Sequence, residues 1–261
     1  MILDTIAAET RRRVAKLKEE GYYETVHEAA KTAKRPEGFP FKRALQKPGL
    51  SFICEVKKAS PSKGIIAEDF PYEAIAGDYE AGGADAISCL TEPVWFKGDA
   101  AYLKAIAGEV KIPVLRKDFI IDVCQIEEAL VIGASAILLI AAILSDEELK
   151  AFMEKAKSLG LSVLTEAHDE EEIRRALAAG ADIIGVNNRN LKDFTIDLST
   201  AARLRPLVPE GIPFVAESGM TTAEAVREMK ESGADAVLIG EMLMRAEDRK
   251  KAVADLIKAC R

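Results

Sequence analysis

The pattern of hydrophobic and polar positions changes near residue 50. Before that point, apolar residues from Ile2 to Leu17 recur at helical spacing, and charged residues occupy the opposite face. A second short helix is predicted around Thr25–Ala33, and the segment from Arg35 to Pro40 breaks regular structure. We therefore expect residues 1–50 to form a helical extension ahead of the main domain.

From Ser51 onward, short apolar segments alternate with amphipathic helical segments. The apolar segments are nearly continuous, as in strands that are covered on both faces. Three of the helical segments begin with capping signals, at Ser145, Asp169 and Thr221, each followed three residues later by glutamate. The eight predicted strands are Phe52–Lys57, Ala84–Leu90, Pro113–Lys117, Ala134–Ala141, Ser162–Glu166, Asp182–Val186, Pro213–Glu217 and Ala234–Gly240.

A short repeat supports this division into units. Segments that begin Gly-Ala at Gly83, Gly133, Gly180 and Gly233 each end a helix and open a strand, about every fifty residues, and glycine suits the left-handed position after a helix. Eight βα units in about 210 residues predict an α/β fold, the (β/α)8 TIM barrel with an N-terminal helical extension. A doubly wound open sheet is the alternative, which the lack of a GxGxxG motif after the first strand disfavours. The expected domain spans residues 1–261, with eight βα units in 51–261.

Composition narrows the chemistry. The chain carries 36 basic and 43 acidic side chains, a net charge of -7, so it lacks the basic excess typical of nucleic-acid binding. Only His27 and His168 are histidines, which argues against a histidine-rich metal site and a Ser-His-Asp triad. We expect acid–base chemistry to depend on glutamate, aspartate and lysine. The net charge says little about the ligand, because basic residues concentrate near the strand ends: Lys57, Lys58, Lys63, Lys117 and Arg189.

The spacing of the cysteines and the length of the apolar segments indicate where in the cell the protein is expected. The four cysteines form no CxxC pair, which favours reduced thiols in a cytoplasmic protein. The N-terminal segment has acidic residues and no continuous apolar core, so no signal peptide is expected there. The apolar stretch Ala134–Leu144 is too short to span a bilayer. No membrane partner is expected.

Candidate catalytic residues follow the predicted strands, since the active site of such a barrel lies at the carboxyl ends of its strands. Glu55 and Lys57 are two residues apart and share one face of the first strand. A charged pair is better placed at the open mouth than against the helices. Arg116 has the opposite parity to Lys117 and is interpreted as structural. The side chains expected to converge on one cavity are Glu55, Lys57, Lys117, Glu166, Asn187 and Glu217.

Two loops suggest phosphate binding. Ser218 and Gly219 lead from the seventh strand toward a capped helix, and Gly240 and Glu241 follow the eighth. Backbone amides of these two loops commonly hold phosphate in such barrels, although ordinary tight turns would look similar. The basic loop Lys57–Gly64 could close over an anionic ligand, or could be a flexible solvated loop.

The remaining aromatic and histidine signals are ambiguous. Trp95 and Phe96 are adjacent on a loop, and they suit either an apolar substrate ring or packing against the N-terminal helices. His168 lies at a helix start, where a capping or surface role is favoured over catalysis. His27 is interpreted as structural.

Together these motifs closely resemble the indole-3-glycerol phosphate synthase family, across essentially the whole chain. The segments that carry the resemblance are 54–64, 90–96, 116–122, 185–191 and 216–219, in the order that the family has them. Cys124 stands where an aromatic is expected, and Arg11–Arg13 replaces a more mixed segment. Neither departure affects a candidate catalytic position. In this family the N-terminal extension is expected to help cover the barrel mouth.

The resemblance implies a reaction and a set of roles. The substrate is 1-(2-carboxyphenylamino)-1-deoxyribulose 5-phosphate, and the products are indole-3-glycerol phosphate, CO2 and water. By resemblance Lys117 is the general acid, Glu166 the base, and Glu55 with Lys57 are candidates for the dehydration step. No metal or organic cofactor is expected.

The resemblance also implies how the substrate binds. Asn187 and Arg189 would bind its hydroxyls and carboxylate, and Glu217 would orient Lys117 or Asn187. The remaining binding residues are Ser60 in the basic loop, Phe96, Phe119 and Leu138 around the aromatic ring, and Ser218, Gly219, Gly240 and the Glu241 amide around the phosphate.

Three alternatives remain open. Phosphoribosylanthranilate isomerase and the tryptophan synthase α subunit are phosphate-binding barrels of the same pathway, but the isomerase would not need the extension or the Lys57 and Lys117 pair. A catalytically silent barrel that binds a phosphorylated regulator should lose some of Lys117, Glu166 and Glu55. The oligomeric state, monomer or homodimer, is left open.

Overall fold

A computed structural model describes residues 2–190 and 193–260, so Leu191, at the end of one family motif, lies outside the described residues. Three helices precede the barrel: α1 (Ile2–Glu19), α2 (Tyr22–Thr32) and α3 (Pro40–Leu45). The helix α3 is not predicted by the sequence pattern, because Pro40 reads as a breaker. Proline fits the first turn of a helix, where its missing N–H has no partner to lose, and here it starts α3.

Eight parallel strands close into a barrel in chain order, and the last strand pairs with the first, Ser51 opposite Ala236. The (β/α)8 prediction is therefore confirmed. The strands are β1 (Ser51–Val56), β2 (Ala86–Leu90), β3 (Val114–Lys117), β4 (Ala136–Ile140), β5 (Ser162–Ala167), β6 (Ile184–Asn187), β7 (Phe214–Glu217) and β8 (Ala236–Ile239). A short hairpin of Ala59–Ser60 and Gly64–Ile65 follows β1.

The helices outside the barrel are α4 (Tyr72–Gly82), α5 (Ala100–Glu109), α6 (Val123–Val131), α7 (Asp146–Ser158), α8 (Glu170–Ala178), α9 (Ser199–Leu204), α10 (Ala223–Glu231), α11 (Glu241–Met244) and α12 (Arg249–Cys260). In the part of the chain that the structure describes, no helix is long and apolar enough to cross a membrane.

Several strands begin two residues later than the sequence pattern predicts. Gly83 and Gly233 have φ angles of 100° and 90°, as expected after a helix. The aspartate two residues on then serves the neighbouring strand instead of extending its own. Asp85 accepts the N–H of Phe52 at 3.0 Å, and Asp235 accepts that of Phe214 at 2.8 Å. In these two copies, the repeat therefore joins the amino ends of adjacent strands.

The three capping predictions have different outcomes. Ser145 forms a full capping box, in which its hydroxyl and the Glu148 side chain each bind the other residue's backbone N–H. Asp169 caps α8 by accepting the N–H of Glu172 at 2.9 Å. The prediction at Thr221 is wrong by one residue, because α10 starts later and Thr222 caps it by accepting the N–H of Ala225.

The barrel has two apolar layers, because successive side chains of each strand point to opposite faces. Outward residues pack against the surrounding helices, and inward residues such as Ile53, Leu115 and Leu164 fill the barrel. Phe41 and Leu45 of α3 close this interior at the amino ends of the strands. Leu3 and Ile6 of α1 join it at the carboxyl ends. The extension thus covers both ends of the barrel, not the mouth alone.

Candidate active site

A cavity of about 480 Å³ opens at the carboxyl ends of the strands. Ile2, Leu3 and Ile6 of α1 form part of its wall. Every site residue predicted from the sequence lines this cavity: Glu55, Lys57, Ser60, Phe96, Lys117, Phe119, Leu138, Glu166, Asn187, Arg189, Glu217, Ser218, Gly219, Gly240 and Glu241.

Two lysines and three glutamates form the centre of the cavity. Lys117 Nζ lies 3.1 Å from Glu166 Oε2 and 3.4 Å from Glu217 Oε2. Lys57 donates a hydrogen bond to Glu55 on the same face of the chain, as their parity predicts. The three carboxylates are buried. Buried charges require partners. Lys57 supplies one to Glu55 at the same strand end, and Lys117 supplies one to Glu166 and Glu217 from another strand end.

Burial and neighbouring charges shift the pKa values of this cluster, often in opposite directions. Burial opposes the charged form of Lys117, but the carboxylates of Glu166 and Glu217 outweigh it and raise its pKa. Burial likewise opposes ionisation of Glu166, yet Lys117 and His168 hold the pKa of that carboxyl well below its usual range. Glu217 differs, because burial and the neighbouring carboxylates raise its pKa despite Lys117. The site therefore holds a charged lysine beside a charged Glu166 and a more readily protonated Glu217.

The end of β6 and the loop after it carry two polar residues that line the cavity, Asn187 and Arg189. The Asn187 side chain donates to Glu166 Oε1 at 3.4 Å and accepts the N–H of Arg189 at 3.0 Å. The Arg189 guanidinium donates to the Phe194 carbonyl oxygen at 3.4 Å. Of the two residues that Glu217 was expected to orient, the structure gives it a contact with Lys117.

His168 is neither a helix cap nor a surface residue, so that expectation is wrong. Asp169 provides the cap, and the His168 side chain is 18% exposed. Its Nε2 lies 3.3 Å from Glu166 Oε1, and its Nδ1 lies 3.0 Å from Glu172 Oε2. Parity could have found it, because Glu166 and His168 are two residues apart and face the same side, like Glu55 and Lys57.

The loops after β7 and β8 both line the cavity, and the β7 loop does so through left-handed backbone. Ser218 and Gly219 have φ angles of 65° and 86°. A Cβ on Gly219 would lie 2.6 Å from Ile196 Cγ2, and one on Gly240 would lie 2.4 Å from Glu55 Oε1. The Glu241 carboxylate is 3.6 Å from Lys63 and so carries a counter-ion. Both loops therefore bring backbone close to the cavity, where side chains would not fit.

Apolar residues form the remaining wall. The rings of Phe96 and Phe119 lie 6.2 Å apart, and Leu138 lies in the same interior cluster as Phe119. Trp95 is not among the residues that line the cavity, and it packs against the interior cluster instead. Phe96 packs against that cluster too, but it also lines the cavity.

Glu92 holds this aromatic loop, a role that the sequence did not reveal. Its buried carboxylate accepts the backbone N–H groups of Val94, Trp95 and Phe96 at 3.0, 2.6 and 3.0 Å. Arg13 of α1 lies 3.9 Å from the same carboxylate. Arg116 is buried on the helix side and pairs with Glu128 at 2.8 Å, in keeping with its structural interpretation.

Within residues 2–190 and 193–260, no group of three His, Cys, Asp or Glu side chains is arranged to hold a metal ion. The arrangement that is present offers two lysines, ionised and protonatable carboxyls, an apolar wall and two glycine loops that line the cavity. Such a set can bind an anionic aromatic substrate and transfer protons to and from it.

Comparisons with known proteins agree with this geometry. The family model for indole-3-glycerol phosphate synthase matches residues 3–256. A protein of that name from Ruminiclostridium cellulolyticum is 53% identical over 256 residues, covering 98% of both chains. Another from Endomicrobium trichonymphae is 54% identical over 246 residues, covering 94% of this chain and 95% of its own.

A solved structure shows likeness of fold alone. The thiamine phosphate pyrophosphorylase from Pyrococcus furiosus has a TM-score of 0.63 at 20% identity, covering 84% of this chain and 97% of that chain.

Proposed function

The chain belongs to the indole-3-glycerol phosphate synthase family, and from this premise we propose how its own residues carry out the family's reaction. It is a decarboxylating carbon–carbon lyase of tryptophan biosynthesis, which forms indole-3-glycerol phosphate from 1-(2-carboxyphenylamino)-1-deoxyribulose 5-phosphate. Family membership removes the isomerase and the tryptophan synthase α subunit as alternatives. The complete charged cluster in the cavity argues against a silent barrel.

Ring closure is the first step assigned to these residues. The substrate ring carbon that bears the carboxylate attacks the ketone carbon, and the carbonyl electron pair moves onto oxygen. Lys117 protonates that oxygen. Its position between Glu166 and Glu217 supports this role, because the two carboxylates keep its ammonium charged until the oxygen becomes basic. Loss of CO2 then returns an electron pair to the ring and restores its aromaticity.

Dehydration completes the indole. The new hydroxyl leaves with a proton as water, and the adjacent carbon loses a proton to form the double bond. Glu166 takes this proton as the base, a role that its place in the cavity beside Lys117 and its contact with Asn187 support. Glu55 and Lys57, which are hydrogen-bonded to each other and line the same cavity, assist departure of the hydroxyl.

Substrate binding divides among several groups of residues that line the cavity. Phe96, Phe119 and Leu138 pack around the aromatic ring, and Asn187 and Arg189 hold its polar groups. Ser60 lies on the basic loop that faces the same space. Backbone amides of the two glycine loops hold the phosphate, at Ser218, Gly219, Gly240 and Glu241.

The ion pair between Lys117 and Glu166 carries this assignment. The test mixes purified protein with 1-(2-carboxyphenylamino)-1-deoxyribulose 5-phosphate in buffer without added metal, and indole fluorescence is followed. Formation of the fluorescent product is expected in the unmodified protein. No signal would contradict the proposed reaction.

We further propose that residues 1–261 act as one cytoplasmic domain, as a monomer or homodimer. Packing of α1 and α3 against opposite ends of the barrel supports a single domain. The free thiols of Cys54, Cys89, Cys124 and Cys260 support a reducing compartment. Sedimentation of the purified chain distinguishes monomer from homodimer.

A further inference from the structure

His168 connects the candidate base to a carboxylate outside the cavity. Glu172, in the first turn of α8, accepts the backbone N–H of His168 at 2.8 Å and lies 3.0 Å from its Nδ1 through the same Oε2 oxygen. This double contact fixes the plane of the imidazole. The opposite ring nitrogen, Nε2, therefore points along one direction, toward Glu166 Oε1 at 3.3 Å.

Among the described residues, the structure shows one polar contact of His168 Nε2, the contact with Glu166. This atom is buried and forms no regular hydrogen bond among the described residues. Glu166 uses its two oxygens differently: Oε2 faces Lys117 at 3.1 Å, whereas Oε1 faces His168 and the Asn187 amide at 3.3 and 3.4 Å. The imidazole thus approaches the carboxylate oxygen that Lys117 does not occupy.

We propose that His168, held by Glu172, is a positioning residue that orients the Glu166 carboxylate and keeps it ionised for proton abstraction. The proposal rests on the proposed role of Glu166 as the base. His168 is not among the residues that line the cavity, so it acts through Glu166 and not on the substrate.

The charges around the pair fit this role. Glu166 faces two cations, Lys117 from β3 and His168 from its own strand end, and His168 faces two carboxylates, Glu166 and Glu172. Burial lowers the pKa of His168, but its close contacts with these two carboxylates outweigh burial and raise it to about 10. The imidazolium is therefore present throughout the neutral range, where it favours the carboxylate form of Glu166.

The main test compares His168→Ala and His168→Gln with the unmodified chain. The alanine variant is expected to lower kcat by about tenfold, with KM changed by less than about threefold, because general-base catalysis depends on orientation. The acidic limb of its kcat–pH profile moves to higher pH, since Glu166 loses a positive neighbour. The glutamine variant keeps a donor at this position and recovers most of kcat at its optimum pH.

His27→Ala is the matched control. His27 also lies 3.0 Å from a carboxylate, that of Glu127, but it belongs to α2 and does not line the cavity. Its removal is expected to leave kcat and the pH profile unchanged. A thermal unfolding scan of each variant separates loss of turnover from loss of the folded state.

A double-mutant cycle decides between the possible failures. In a Glu166→Gln background, His168→Ala is expected to change the residual kcat by less than about twofold, because the group that it positions has lost its function. Equal losses in both backgrounds, or an unchanged kcat in His168→Ala, would overturn the proposal for His168. High turnover in Glu166→Gln alone would instead overturn the proposed base.

Discussion

Lys117 Nζ, at the end of β3, lies 3.1 Å from Glu166 Oε2, at the end of β5. The ion pair crosses over β4, the strand between them, whose inward residues Leu138 and Ile140 are apolar and buried. No polar side chain of β4 competes for either charge. The candidate acid and base therefore face each other across an apolar floor, with Glu217 as the second partner of Lys117 at 3.4 Å.

Replacing the candidate base should affect chemistry more than binding. Glu166→Gln keeps the shape of the side chain but removes its basicity, so kcat is expected to fall about 10²–10⁴-fold with a small change in KM. Steady-state kinetics measure both constants. Glu171→Gln makes the same substitution at an exposed residue of α8 and should have no effect. A kcat for Glu166→Gln within tenfold of the unmodified value would refute its role as the base.

Gly219 offers a test of the phosphate cradle. Gly219→Ala places a Cβ 2.6 Å from Ile196 Cγ2 and should displace the loop, raising KM about tenfold or more and weakening inhibition by inorganic phosphate. Gly211→Ala is the control, since Gly211 has the same φ of 86° but nothing within 4 Å of its added Cβ. Both variants lose about 1–2 kcal/mol of stability from the left-handed backbone. Equal KM values in the two variants would contradict the cradle.

The extension should contribute to substrate affinity. Ile6 lines the cavity, so Ile6→Ala is expected to raise KM about fivefold by removing apolar contact area. Val14→Ala removes a buried side chain from the same helix, at a site where it packs against Tyr23 and Val26. This control should lower the thermal unfolding temperature without changing KM. A higher KM in Val14→Ala than in Ile6→Ala would show that helix docking alone sets affinity.

The contribution of His168 to stability should depend on pH. Its folded-state pKa is raised to about 10, whereas an unfolded histidine titrates near about 6.5. The folded state binds the additional proton between these values, so the stabilisation is fully present below the lower value and is lost as pH rises through the higher. Urea unfolding should therefore show that the difference in free energy of unfolding between the unmodified chain and His168→Ala becomes smaller from about pH 6 to about pH 10. A difference in free energy of unfolding that stays constant over this range would contradict the stabilisation of His168 by its two carboxylate partners.

The fold could be predicted from the sequence because each strand is a separate apolar segment, and a Gly-Ala turn precedes four of the eight. The extension was harder to predict. In the sequence, a proline such as Pro40 looks the same whether it interrupts regular structure or begins a helix. The packing of Phe41 and Leu45 at the amino ends of the strands shows why a helix forms there. Local pattern does not reveal which apolar residues reach a distant surface.

The candidate site was predictable residue by residue but not pair by pair. Parity places Glu55 and Lys57 on one face, and Glu166 and His168 have the same spacing, but the helix start at Asp169 makes His168 resemble a capping residue. The choice of Glu166 and Glu217 as partners of Lys117 depends on how strand ends face one another across a closed barrel. The sequence order of the strands does not contain that information.

The most direct test of the account is a fluorescence assay of the Lys117→Met variant beside the unmodified chain. Methionine fills a similar volume without an ammonium group, so the account predicts that formation of indole-3-glycerol phosphate falls by at least about 10³-fold. A cooperative unfolding transition and unchanged inhibition by inorganic phosphate would show that the fold and the phosphate site remain. Turnover within tenfold of the unmodified chain would contradict the assignment of Lys117 as the general acid.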